Sequence, residues 1–554
     1  MEAQTQILIV MIVYLLLLIA WGVYQGRKVK TDSDYAIAGR KLPGWAAALS
    51  ERATGESSWA LLGLPGAAYA TGLTEIWTAI GCVAGILTAW IVIAWRLRDA
   101  SEKYQVNTFT EFIAKKHGDF GKYIRIVGSF TIVFFFFFYV GAQFLGGGKT
   151  LGSMFGIDPY VGMLVTAAII VPYTIYGGFR SVVYTDVIQA IVMITALILG
   201  PIVGLIYLGN HPEVFAASIP EALSKSGTAY TSLTGGASGF MAGVVIAGGF
   251  SWFFGYLGGQ PQLSMRFMAI SDPKQAKKAR NIGIVWTIIA YIGALSIGWI
   301  GIAIFGPNAL ADQEYVMPEV FMTIFPPVIA AILITGAIAA MISTADSLLI
   351  LSSSELSENI LKPVLKTKDK ARKALMHSRI VTALLAVIAL LLAYVSPSDM
   401  IYTIVGYVWA GIGSTFSVVI ILTLFWKPYH GRAVIITILT GLLFTIVWFS
   451  TGMEKHYKVT EETFAKIEAE DIPSEISEQI VEMKGVRYNS ANKFEERLEN
   501  LLSKEQYDEF KGAVKRNAGV TGISARFLTF LVALLAAVLS TYLIKRNKND
   551  QTEF

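Results

Sequence analysis

Long apolar runs, one after another from residue 5 to residue 544, constrain this chain more than any other feature of its sequence. Roughly 20 apolar residues cross the hydrocarbon core of a bilayer, and a backbone in lipid must satisfy its own polar groups, so each such run is expected to be a helix. About thirteen can be marked, near 5–26, 43–71, 73–95, 121–147, 159–177, 181–208, 236–262, 281–305, 318–360, 376–396, 399–426, 432–452 and 522–544. Runs longer than about 25 residues have to tilt, bend or break. The first, 7–23, has no basic stretch before it and no small-residue cleavage site after it, which predicts a retained span rather than a signal peptide. Composition agrees: 54% of residues are hydrophobic and 15% charged, where soluble proteins carry roughly a quarter charged.

The connections carry an orientation. Basic clusters follow runs 1, 3, 7, 9 and 13: Arg27, Lys28, Lys30, Arg40 and Lys41; Arg96, Arg98, Lys103, Lys115 and Lys116; Lys274, Lys277, Lys278 and Arg280; Lys362, Lys366, Lys368, Lys370, Arg372 and Lys373; Lys545, Arg546 and Lys548. The opposite connections 306–318 and 396–400 contain no lysine or arginine. The positive-inside bias therefore predicts a multi-pass protein of the plasma (inner) membrane, N-terminus outside and C-terminus cytoplasmic. A net charge of +5 dispersed in this way does not point to nucleic acid, and the single Cys82 allows no intramolecular disulfide. The connection 453–521 is rich in both signs of charge and would lie outside. Phe464 with Ile467, and Phe494 with Leu498, Leu501 and Leu502, recur there at helical spacing, which predicts short amphipathic helices.

Polar chemistry inside the apolar runs marks a functional site, because an unsatisfied polar group is costly in lipid. The second run holds Glu51, Arg52 and Glu56 near its middle, with Thr54, Gly55, Ser57 and Ser58 beside them. Arg52 and Glu56 stand four apart and would neutralise each other on one helix face. That pairing leaves the hydroxyls and the glycine unexplained, and they predict a break. The seventh run, Ala247-Gly-Gly-Phe-Ser-Trp-Phe-Phe-Gly-Tyr-Leu-Gly-Gly-Gln-Pro261, is weakened by glycine and proline and sets Trp252 and Tyr256 on one face. Broken runs five apart indicate two inverted five-helix repeats with a site at the midplane. The ninth run adds Ser343, Thr344, Asp346 and Ser347, and the sixth adds Asp186; oxygens of this kind suit a hard cation such as sodium. Gly146-Gly-Gly-Lys-Thr150 is no phosphate loop, since the upstream glycine position holds Gln143. The five histidines have no metal-ligand spacing, so neither a transition metal nor an enzyme is expected.

Several stretches resemble the sodium/solute symporter family, especially its sodium/proline symporter branch. They are Asp34-Tyr-Ala-Ile-Ala-Gly-Arg-Lys-Leu, Ser58-Trp-Ala-Leu-Leu-Gly-Leu-Pro-Gly-Ala67, Tyr176-Gly-Gly-Phe-Arg-Ser181 with Thr185-Asp186, Gly259-Gln-Pro261 with Arg266-Phe-Met-Ala269, Ser343-Thr344 and Tyr407-Val-Trp-Ala-Gly411. The resemblance implies an all-α, LeuT-like core of five-plus-five inverted repeats with broken helices. The units would be 1–42 (an extra helix and a cytoplasmic loop), 43–210 and 211–430 (the repeats), and 431–554 (two last helices around the loop 453–521). It implies a main sodium site from carbonyls of Ala53, Glu56 and Ala340 and hydroxyls of Ser343 and Thr344. A second sodium site would use Asp186, Ser343, Asp346 and Ser347. The substrate positions would be Ser57, Ser58, Trp59, Tyr139, Trp252, Tyr256 and Pro261. The chain departs from the proline branch at Gly55, where that branch commonly has aspartate, and at Glu51-Arg52, where it has small residues; an extra glycine precedes Gln260, and the late loop is longer.

The expected function is sodium-coupled uptake of a small organic solute by alternating access, with proline or another amino acid as substrate and sugars or carboxylates as alternatives. Sodium is the expected coupling ion, with no cofactor. The expected partners are the solute and the bilayer, with no obligatory protein partner. A transporter-like sensor is the alternative from another class; the few residues after Ile544 hold no signalling domain.

Overall fold

A computed structural model describes residues 3–365, 371–395, 401–451, 453, 456–470, 472–488, 491–518, 520–521 and 523–544. Lys366, Lys368, Lys370, Lys545, Arg546, Lys548 and the connection 396–400 lie outside the described residues. Among the described residues, 11 helices are long and apolar enough to cross a membrane. They follow the expected runs in order and differ from them in continuity. Runs 43–71 and 73–95 fall within one helical stretch, Gly44–Tyr104, interrupted at Gly72 (φ 65°, ψ −129°). Runs 159–177 and 181–208 merge into Pro159–Asn210, whose backbone leaves helical geometry at Gly178 (φ 61°, ψ −174°). The run 318–360 instead divides into Val316–Ile324 and Pro327–Leu356, because the Pro326-Pro327 pair supplies no N–H to continue the first helix.

Pro327–Leu361 is the central span, with 83% of its most apolar window buried against 28% for the first span, Thr5–Gly26. Its small residues Gly336, Ala337, Ala339 and Ala340 let neighbouring backbones approach closely. Around it pack Gly121–Phe155, Pro159–Asn210 and Gly44–Ser58.

Both expected breaks are present. In the second span Ser57 adopts φ 52°, ψ −167°, and Trp59–Gly63 continue as a π-helical turn. Gly55, Ser57 and Ser58 are poor helix formers in sequence, and the hydroxyls compete for backbone partners. In the seventh span, Trp252–Tyr256 ends at Leu257 (φ −74°, ψ 44°), Gly258 takes φ 80°, and Pro261–Met268 resumes the helix. Irregular backbone at this depth is tolerated because protein encloses it.

The late connection builds its own small core. Helices Glu461–Glu468, Ser474–Ile480, Ala491–Leu501 and Lys504–Asn517 bury Ile467, Ile480, Phe494 and Leu498 completely. Three short antiparallel strands, β1 His456–Lys458, β2 Arg487–Tyr488 and β3 Val520–Thr521, pair in the order β2-β1-β3. The hydrophobic spacing gave the helices Glu461–Glu468 and Ala491–Leu501, whereas strands of two or three residues are too short to leave an alternating pattern. The subdomain touches the bundle where Gly512 lies against Asn308, so closely that a Cβ there would come within 2.2 Å of the asparagine side chain.

Candidate substrate and ion site

The break at Ser57 is held open by side chains from two other helices, Gly121–Phe155 and Pro327–Leu356. Tyr139 donates its hydroxyl to Ser57 Oγ at 3.1 Å, and the same oxygen accepts the Trp59 N–H at 3.1 Å. The Ser58 N–H donates to Gln143 Oε1 at 3.1 Å. Thr344 donates from Oγ1 to the carbonyl of Thr54 at 3.0 Å, which ties the ninth-run helix to the last turn before the break. Ser343 Oγ lies 3.5 Å from Thr54 Oγ1. Ala53, Glu56, Ala340, Ser343 and Thr344 are all fully buried, and the Thr344 contact brings the helix of the last three against the turn that contains the first two.

Asp186, Ser343 and Ser347 also converge, with a cation among them that the residue spacing did not indicate. Arg266 donates to Asp186 Oδ2 (3.1 Å), Thr54 Oγ1 (2.9 Å), Ser50 Oγ (3.1 Å) and the Gln262 carbonyl (2.8 Å), and contacts Ser347 Oγ closely. Ser50 donates to the same carboxylate at 2.5 Å, and Thr54 and Ser347 hydroxyls lie 3.1 Å apart. Asp346 is buried beside Ser347 on the same helix. Arg266 follows the seventh-span break by only a few residues, which is what carries a guanidinium to this depth.

On the other side of the break the rings form a box. Trp59 and Trp252 have centroids 4.5 Å apart, and Trp59 meets Tyr291 at 6.0 Å and Tyr402 at 6.2 Å. Trp409 joins Trp252 (6.0 Å), Tyr256 (5.3 Å) and Tyr139 (5.2 Å). Ser57, Trp59, Tyr139, Trp252 and Tyr256 are therefore brought together. Ser58 presents its N–H to Gln143, and Pro261 opens the helix after the unwound turn. Tyr291, Tyr402, Trp409, Gln143 and Ser50 were missed, while Thr54 was named only among the hydroxyls at the break and Arg266 only within a stretch resembling the family. Lone tyrosines in apolar runs were the available signal for Tyr291 and Tyr402, and Trp409 lies in the quoted Tyr407-Val-Trp-Ala-Gly411.

The box is closed. Trp59, Trp252, Tyr139 and Tyr256 are at most 3% exposed. Tyr402, which covers Trp59, is fixed by Glu75 at 3.3 Å and Thr78 at 3.3 Å. The N–H groups of Ile401 and Tyr402 donate to Glu314 at 3.2 and 3.0 Å, and Lys149 Nζ reaches Glu314 and Asp312 at 2.6 Å each. Burial pushes the Glu314 carboxyl above its usual range, against the pull of Lys149. From the last helix, Ala525–Leu543, Arg526 lies over the Trp252 ring at 4.2 Å and donates to Ser251 Oγ at 3.1 Å.

Comparison with known proteins adds to this geometry. The model of the sodium:solute symporter family matches residues 35–441. The osmoregulated proline transporter OpuE of Bacillus subtilis is 33% identical over 460 residues, 82% of this chain and 91% of that one. The sodium/proline symporter 2 of Staphylococcus saprophyticus is 34% identical over 456 residues, 81% of this chain and 86% of its own. Among solved structures, a Na+-coupled sialic acid symporter in a substrate-bound outward-open state superposes with a TM-score of 0.69 at 18% identity, covering 98% of this chain and 99% of that one. That likeness shows the fold: a LeuT-like helical core with broken helices, as expected.

Proposed function

This chain belongs to the sodium:solute symporter family, and from that premise we propose that it takes up a small organic solute, an amino acid of the proline kind, driven by the sodium gradient. The observation that carries the reading is the double use of the break in the second span. On one side of Ser57 the helix end meets Ser343 and Thr344, with Thr344 donating to the Thr54 carbonyl at 3.0 Å and Ser343 Oγ 3.5 Å from the Thr54 hydroxyl. On the other side Trp59 enters the aromatic box, 4.5 Å from Trp252. An ion seated in the first place fixes the helix end from which the second is built. Each ligand then favours the conformation the other needs, and that reciprocal linkage is coupling.

The main ion ligands in this reading are the carbonyls of Ala53, Glu56 and Ala340 with the hydroxyls of Ser343 and Thr344. The solute lies among Ser57, Ser58, Trp59, Tyr139, Trp252, Tyr256 and Pro261. The repeats are 43–210 and 211–430, and the N-terminus is outside. The proline transporters among the relatives support the substrate class, and the membrane potential would add about 2.3 kcal/mol per charge per 100 mV to the sodium gradient.

Purified protein in proteoliposomes tests this. With an inward sodium gradient and an inside-negative potential, radiolabelled L-proline or another amino acid should accumulate well above equilibrium, and choline in place of sodium should abolish it. Equal accumulation of solute without sodium, lithium or proton gradients would overturn the reading.

A further inference from the structure

The charges buried around the break do not balance. Glu51 binds Arg52 through both Nε and Nη2 of the guanidinium, and also accepts from Trp90 Nε1 at 3.1 Å. Asp186 is matched by Arg266 at 3.1 Å. Glu56 receives the remaining Arg52 nitrogen, Nη1, at 3.1 Å on Oε1, a nitrogen shared with Thr287 Oγ1 at 3.2 Å, and the Tyr291 side chain lies beside the same carboxyl. Glu56 is fully buried, yet its Oε2 accepts no hydrogen bond. The neighbouring Tyr291 hydroxyl lies 3.3 Å from that of Tyr256. Two carboxylates, Glu51 and Glu56, thus share one arginine, and an oxygen of the second is left over beside the aromatic box.

Other polar atoms of this region are unpartnered as well. Among them are the N–H donors Trp59 Nε1, Trp409 Nε1 and Gln260 Nε2 and the hydroxyl Ser58 Oγ, all buried. An orphan carboxylate oxygen accepts from a cationic nitrogen, and orphan indole and amide N–H groups donate to carboxylate oxygens. The rings of Trp59, Trp252, Tyr291 and Tyr402 supply the electron-rich faces that attract a cation. A polyol would leave the carboxylate charge unmatched, and an anionic solute would be repelled by it.

We propose that the Glu56 carboxylate anchors a positively charged nitrogen of the transported solute, so that the site selects zwitterions carrying an ammonium group. The inference rests on the proposed uptake function for one point, that solute is held at the break. It assigns to the Glu56 side chain a role separate from that of the Glu56 carbonyl.

Purified full-length protein in saturating sodium tests it, with affinities read from ligand-induced thermal shifts. The probes are matched pairs: L-proline against tetrahydrofuran-2-carboxylate, which has oxygen in place of the ring ammonium, and L-alanine against L-lactate. Wild type should bind the better zwitterion at least tenfold tighter than its partner. Glu56→Gln should shrink that preference below threefold. An unchanged preference in Glu56→Gln overturns the proposal, as does a tenfold shift in sodium with the preference intact, which would give the carboxylate to the ion. If Glu56→Gln does not fold, the wild-type pairs decide: a preference below threefold overturns the inference. Sodium-dependent binding only of solutes without a cationic nitrogen sinks this inference alone. Absence of sodium-dependent binding of any solute sinks the uptake function with it.

Discussion

Arg266 places a permanent positive charge among Asp186, Ser50, Thr54 and Ser347. The Asp186 carboxylate is engaged by the guanidinium through Oδ2 at 3.1 Å, leaving Oδ1 without a hydrogen bond, and a sodium ion there would sit beside a like charge, which repels it. We therefore predict that sodium activates transport with a Hill coefficient near 1, through the site built on Ser343 and Thr344. Replacing both with alanine should raise the half-saturating sodium concentration at least tenfold, about 1.4 kcal/mol of lost binding. A Hill coefficient near 2 in sodium titrations, or an unmoved half-saturation in the double variant, would contradict this. Ser343 and Thr344 were legible in the sequence as adjacent hydroxyls in an apolar run. The engagement of Asp186 by Arg266 was not, because the two are 80 residues apart and only the packed fold brings them together.

Among the elements, the broken second span is the most demanding, since Ser57 sits at φ 52° and ψ −167°, a region glycine enters freely and other residues enter under strain. Ser57→Gly and Ser57→Ala both delete the oxygen that accepts from Tyr139 and from the Trp59 N–H. Only the glycine variant relieves the backbone. The glycine variant is predicted to be the more stable of the two by about 1 kcal/mol, measured as denaturant or thermal unfolding of the purified proteins. An alanine variant as stable as the glycine one would show that the break carries no strain. Density of Gly, Ser and Pro made both breaks readable in advance. The interruptions at Gly72 and Gly178 were not located, because a single glycine inside an apolar run has many uses. At Gly178 the reason is packing, for a Cβ would lie 2.5 Å from the Tyr35 ring.

For the whole molecule, the basic clusters predict an outside N-terminus, and the chain offers a clean way to measure it. Its one cysteine, Cys82, is fully buried, so a Glu505→Cys variant on the exposed part of the late connection would present the accessible thiol. A membrane-impermeant maleimide should label it in intact cells, and labelling only after permeabilisation would invert the topology. The helical core and its paired breaks were legible because lipid imposes period, length and polarity on every span. The small subdomain was partly legible, two of its helices, Glu461–Glu468 and Ala491–Leu501, by spacing and its strands not at all. The closure of the box was illegible, being made by residues from opposite ends of the chain. Arg526 belongs to the last helix yet lies 4.2 Å over Trp252, and Ser524 beside it accepts the Ser251 hydroxyl at 2.9 Å. During synthesis, then, every ligand of the break can be in the membrane while one face of Trp252 is still uncovered. The ribosome has to deliver residue 526, well past residue 441 where the match to the family model ends, before that face is covered.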